Sequence, residues 1–126
     1  MRILEFKNNP LSTLLGFLLI LIGVALSFIS QKKLGDSWTH AASLKAKKLI
    51  TTGIYKYIRH PIYFGFILSF LGSEILAGSL LWVSFLFLFI PAYYQVKKED
   101  KLLKDKFGNK FMQYKKNTKM FVPFIL

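Results

Sequence analysis

The sequence predicts an all-α integral membrane protein with about three transmembrane helices, joined and followed by short cytoplasmic or interfacial helices. Three observations carry that expectation. Residues 8–31 are uncharged and mostly apolar, residues 61–96 hold a single charge at Glu74, and the basic residues collect in the segments that flank these runs. Hydrophobic residues make up 53% of the 126, and 13 residues are Phe, which is not an ordinary soluble composition. The length suits one domain, 1–126. Cysteine is absent, which excludes disulfides, thiolate metal sites and a Cys nucleophile.

The first element is a span over about 10–30, containing "LLGFLLILIGVALSFI". About 20 apolar residues at 1.5 Å each cover a bilayer core of roughly 30 Å. That run is too long for the apolar core of a cleaved signal peptide, and no small-residue cleavage site precedes the polar segment. Gly35 and Asp36 predict a break after it, and Trp38 suits an interfacial position. "ASLKAKKLI" predicts a short helix lying on the membrane, ended by Gly53. The apolar stretch 61–96 is too long for one span, and the turn residues of "GSEILAGS" divide it into spans at about 61–77 and 79–96. Pro61 then falls in the first turn of a helix, where its missing N–H costs nothing. Glu74 is expected near the turn, hydrated at the far interface. In the tail, Val96, Leu102, Leu103 and Phe107 recur near helical spacing, and Gly108 can end that helix. Phe111 and Tyr114 share one face of a second short helix, and "MFVPFIL" closes the chain as a packed apolar segment.

The charges orient this arrangement. The segment 31–60 has seven basic residues and one acid, and 97–126 has nine basic residues and three acids. Three crossings put both on one side, and the positive-inside rule makes that side the cytoplasm. The expected location is the cell (inner) membrane, N-terminus outside and active site facing the cytoplasm. The net charge of +12 is then mostly topological. No groove-reading or base-stacking motif is present, so no nucleic-acid partner is expected. The two His residues lie twenty apart with no HxxxH or HxxE arrangement, so no metal site is expected.

Two clusters carry candidate chemistry. Arg59 and His60 sit with Pro61 and the tyrosines Tyr55, Tyr57 and Tyr63 at the mouth of an apolar segment. Singly, Arg59 is an interfacial anchor and His60 a capping residue. Together they gather donors and aromatic faces where polar and apolar phases meet, which suits an amphiphilic substrate with an anionic head. Glu99 and Asp100 follow the last span among lysines. They are either solvated acids on a helix surface or a site for an ammonium or sulfonium cation.

"GIYKYIRHPIYFG" resembles the G-x-Y-x-x-x-R-H-P-x-Y-x-G signature of the isoprenylcysteine carboxyl methyltransferase family, which groups with the phospholipid methyltransferases. "EDKLLKDKFGNKFMQYKKNTKMFVP" resembles that family's second motif, and "KKLGDSWT" its L-G-x-x-W stretch. The resemblance covers roughly residues 20–124 and implies S-adenosyl-L-methionine as methyl donor, bound in a cytoplasmic pocket roofed by the tail. It implies a lipid-soluble or prenylated substrate entering from the bilayer. Carried over, it makes Arg59 and Glu99 catalytic, with Tyr55, His60, Pro61, Tyr63, Gly65, Glu99, Asp100 and Leu103 around the cofactor. In that arrangement His60 holds the cofactor's carboxylate, Glu99 its ammonium, and Arg59 a substrate carboxylate. The second acid is Asp100 where Glu is usual, and Phe111 stands where Tyr is common. Family members usually carry further spans before the signature. The substrate half is therefore either pared down or supplied by a second protomer in a homo-oligomer.

The leading expectation is a membrane methyltransferase acting on a carboxylate of a lipid-like or prenylated molecule. Alternatives are a phospholipid N-methyltransferase, a nicotinamide-dependent membrane reductase of related architecture, and a non-catalytic membrane scaffold. Glu99→Gln is expected to weaken cofactor binding more than Asp100→Asn, with Asp100 taken as the solvated acid.

Overall fold

The structure is a computed structural model that describes residues 9–35, 49–78 and 82–120. The expected interfacial helix after Gly35, the position of Trp38, the start of the third span and the closing apolar segment lie outside the described residues. Among the described residues the chain is all-α, with four helices and a 3-10 turn: α1 (Pro10–Leu34), the turn (Gly53–Lys56), α2 (Pro61–Leu76), α3 (Trp82–Phe107) and α4 (Asn109–Lys116).

α1 begins with a capping box. The Asn9 side chain accepts from the Ser12 N–H at 2.8 Å, while Ser12 Oγ accepts from the Asn9 N–H at 2.9 Å. Its 25 residues extend about 37 Å, and it is the one described helix both long and apolar enough to cross a membrane. α2 opens on Pro61 at its first turn, as the sequence predicts, and is a shorter apolar helix of 16 residues.

α1 and α2 pack through a seam of small residues. Gly16 meets Gly72, and Gly23 meets Gly65, so the two helices run antiparallel. A Cβ on Gly65 would lie 2.5 Å from the Gly23 carbonyl oxygen, and one on Gly72 would lie 2.6 Å from that of Gly16. Ser27 Oγ donates across the seam to the Ile62 carbonyl at 3.1 Å. The large side chains point the other way: Leu11, Leu21 and Phe28 on α1, and Phe66 on α2, are exposed. Small residues inside and large apolar ones outside reverse the pattern of a helix in water, and they match helices that associate in lipid by close backbone packing.

α3 continues through the border between apolar and charged sequence, carrying Pro91 inside it and ending at Phe107. The sequence reading divides span from tail at 96/97; the backbone does not, because nothing from Gln95 to Lys106 breaks a helix. Gly108, at φ 60°, ends α3 as expected. A Cβ there would touch nothing within 4 Å, so it is the left-handed backbone that calls for glycine. α4 buries Phe111 and Tyr114 on one face, the pairing their spacing predicts. Glu74 lies in the last turn of α2, near the turn as expected; it is half-buried, and its Oε2 is shielded with no hydrogen bond among the described residues.

α3 meets α2 through Val96 and Met120, fully and almost fully buried, with Tyr63, Phe64, Ile67, Phe89 and Tyr93 packed around them. The tail returns here. The Lys119 N–H donates to the Tyr57 carbonyl at 3.1 Å, and the Arg59 N–H donates to the Lys119 carbonyl at 2.8 Å, a parallel bridge between Ile58 and Lys119. The His60 N–H then donates to the Met120 carbonyl at 3.1 Å.

Candidate functional site

The bridge fixes the backbone of Arg59 and His60 immediately before α2, and α3 lays Glu99 and Asp100 against them. His60 is 6% exposed and faces an acid on each side of its ring. Nε2 lies 2.8 Å from Asp100 Oδ1, and Nδ1 lies 3.6 Å from Glu99 Oε2. Tyr63, one turn along α2, donates its hydroxyl to Glu99 Oε1 at 2.8 Å. Gln95, one turn before Glu99, reaches the same oxygen at 3.5 Å.

Arg59 turns toward the tail. Nη1 donates to the Thr118 carbonyl at 3.0 Å, and contacts Thr118 Oγ1 at 3.2 Å and the Lys115 carbonyl at 3.3 Å. Cations are favoured among the unpaired carbonyls at a helix C-terminus, and Arg59 caps that end of α4. Its Nε lies 3.4 Å from Asp100 Oδ2, with both side chains about 6–7% exposed. Neither of those two atoms has hydrogen-bond geometry to any partner, so this is an ion contact without a hydrogen bond. Asp100 is accordingly not a solvated acid, as the sequence reading has it; it is 5% exposed and more deeply buried than Glu99.

Electrostatics at Asp100 follow from this enclosure. Burial pushes its carboxyl up, but the hydrogen bond from His60 and the positive charges of His60, Arg59 and Lys115 outweigh it, and the group titrates below the usual carboxylate range. Burial drives the Tyr55 and Tyr114 phenols well above their ordinary value, so both act as donors. Tyr114 donates to the Tyr55 carbonyl at 2.6 Å, and Tyr55 donates to the Ser30 carbonyl at 3.2 Å, tying α4 through the 3-10 turn to the end of α1.

The structure thus gathers Arg59, His60, Tyr63, Glu99 and Asp100 into one cluster. Pro61 is fully buried beneath it at the start of α2. Tyr55 stands beside it as a tie between segments rather than facing the acids. Gly65 lies away from it, in the α1–α2 seam against Gly23 and Ser27. Leu103 is half-buried on α3, one turn past Asp100. Sequence reasoning missed two participants. Gln95 stands four residues before Glu99, a spacing that could have revealed it. Thr118 lies 59 residues from Arg59 and carries no local signal.

A hairpin of apolar helices carries a buried Arg–His–acid cluster at one end. The profile of the phospholipid methyltransferase family matches residues 11–110, and the chain belongs to that family. It is 31% identical over 122 residues to the protein-S-isoprenylcysteine O-methyltransferase of Saccharomyces cerevisiae, covering 93% of this chain and 51% of that one. With the enzyme of the same name from Schizosaccharomyces pombe it shares 32% over 116 residues, covering 88% and 48%. With methanethiol S-methyltransferase 1 of Bradyrhizobium diazoefficiens it shares 37% over 71 residues, covering 56% and 24%. The chain spans about half the length of the first two relatives.

Proposed function

We propose that the chain is an S-adenosyl-L-methionine-dependent membrane methyltransferase that acts on a carboxylate of a lipid-like or prenylated molecule. The observation that supports the choice of acceptor is the likeness, over 93% of this chain, to a protein-S-isoprenylcysteine O-methyltransferase. His60 Nε2 lies at hydrogen-bond distance from Asp100 Oδ1, while Nδ1 stands 3.6 Å from Glu99 Oε2, beyond hydrogen-bond length. Tyr63 gives its hydroxyl to Glu99 and Arg59 gives Nη1 to the tail. A carboxylate acceptor needs no general base, whereas a thiol or an ammonium headgroup must first lose a proton.

The donor set fits the cofactor. Of the two adjacent carboxylates, which suit a cation more than an anion, Glu99 is the less enclosed. Glu99 would hold the ammonium, pre-oriented by Tyr63 and Gln95. His60, hydrogen-bonded to Asp100 through Nε2, orients that acid beside the cofactor. When bound, S-adenosyl-L-methionine supplies a methyl group on a sulfonium. What the chain's own residues contribute is position and dryness: Pro61, His60 and Asp100 are shielded from water, and the exposed apolar faces of α1 and α2 admit a substrate from the bilayer side. We further infer three membrane crossings, with the His60 end in the cytoplasm.

Isothermal titration of the detergent-solubilised chain separates the readings. S-adenosylhomocysteine is expected to bind and NADPH is not. Binding of NADPH alone would point to a reductase, and binding of neither to a scaffold. Labelled methyl transfer to a small prenylated thiol-carboxylate, set against methanethiol and phosphatidylethanolamine, tests the acceptor.

A further inference from the structure

Six lysines from three separate segments come together at one end of the helices: Lys32 and Lys33 on α1, Lys56 in the 3-10 turn, and Lys97, Lys98 and Lys101 on α3. The gathering is set by Ser27 on Ile62, Tyr55 on Ser30 and His60 on Asp100. All six are exposed. The acids in the same stretch of α3 do not balance them. Glu99 and Asp100 turn inward onto His60, Tyr63 and Arg59, with side chains 13% and 6% exposed. Asp105, the nearest outward acid among the described residues, lies one turn beyond Lys101.

Each group of lysines stands next to an aromatic ring. Lys32 Nζ lies 5.4 Å from the centre of Phe28, Lys56 Nζ 5.9 Å from Tyr57, and Lys97 Nζ 5.4 Å from Tyr93. On the apolar side of this layer, Ile29, Phe87, Ile90 and Tyr94 are exposed. Apolar surface, then aromatic rings, then ammonium groups is the order of phases from hydrocarbon to headgroup. Lys97 to Lys101 covers about 6 Å of helix, and a headgroup layer is roughly 5–8 Å deep on each leaflet.

We propose that this lysine collar selects anionic phospholipids and holds their phosphates as the boundary lipid at this end of the protein. The partner is a lipid headgroup rather than a nucleic acid because the cations border exposed apolar side chains. The inference is independent of the methyl-transfer reading and stands or falls without any turnover measurement. A lysine near an anionic surface contributes roughly a fivefold change in affinity.

The test uses the full purified chain in detergent, offered equimolar dioleoyl phosphatidylglycerol and dioleoyl phosphatidylcholine, with retained lipid counted by native mass spectrometry. The wild type is expected to keep phosphatidylglycerol at least about fivefold over phosphatidylcholine. The variant K32Q/K97Q/K98Q is expected to fall below about twofold, while K32R/K97R/K98R keeps the preference. Circular dichroism checks that both retain their helices. Equal retention of the two lipids by the wild type overturns the proposal whatever the variants do. So does a single-stranded oligonucleotide that displaces the phosphatidylglycerol.

Discussion

Replacing Asp100 by Asn removes the charge that faces the buried Arg59 Nε at 3.4 Å and the His60 Nε2 at 2.8 Å. Truncating one partner of a buried ion pair typically costs 3–5 kcal/mol, because the other charge is left uncompensated. Two features hold the loss to the lower end. Arg59 keeps the Thr118 and Lys115 carbonyls, and the amide oxygen of Asn still accepts from His60. The expected destabilisation is about 3 kcal/mol. Glu99→Gln is milder for the fold, about 1–2 kcal/mol, since Gln can still accept from Tyr63 and the site is less enclosed. The order is opposite for the cofactor: Glu99→Gln should weaken S-adenosylhomocysteine binding more. Denaturant titration followed by circular dichroism measures the first order, and isothermal titration the second. The pH dependence follows with its sign. The folded carboxyl of Asp100 titrates below its unfolded value of roughly 3.9, so its contribution is complete above that value and is lost as pH falls through the lower, folded one. The wild type should therefore shed stability in acid that Asp100→Asn never had. An Asp100→Asn variant as stable as the wild type at neutral pH, or a larger stability loss from Glu99→Gln, refutes the reasoning.

Arg59→Lys keeps the charge but loses the planar fork that spans Asp100 and the tail carbonyls. Turnover is expected to fall roughly 100-fold, with faster tryptic cleavage after Lys115 and Lys116; near-normal values of both would reduce Arg59 to an interfacial anchor. Gly65→Val should force α1 and α2 apart, since even a Cβ would lie 2.5 Å from the Gly23 carbonyl oxygen, and should cost at least about 3 kcal/mol; a thermal midpoint near that of the wild type would contradict the seam. Gly108→Ala meets open space and pays only for its left-handed backbone, about 1–2 kcal/mol, measurable by the same melt. Cysteines placed at Lys56 and Asn117 should both react with an impermeant thiol reagent from the cytoplasmic side and neither from outside, the opposite result ruling out the proposed orientation.

Helix identity and its punctuation were legible along the chain, because they depend on neighbours. Pro61 at the start of α2, Gly108 after α3 and the shared face of Phe111 and Tyr114 are local matters of φ, missing N–H groups and the 3.6-residue turn. The pairing of Arg59–His60 with Glu99–Asp100 was also foreseeable, through two motifs read together. Which acid would be buried was not. Adjacent residues on a helix point about 100° apart, and only the placement of α3 against α2 decides that Asp100 meets both Arg59 and His60 while Glu99 keeps a more open edge. The glycines and serines of α1 read as ordinary members of an apolar run. Their common face became a seam only when Gly65 and Gly72 came to lie against it. Thr118 had no local mark at all, since its partner lies 59 residues away and the contact exists only because the tail pairs with Ile58. Short-range sterics and periodicity are written residue by residue in the sequence, whereas burial and ion pairing depend on which faces meet, and that is settled by packing over the whole chain.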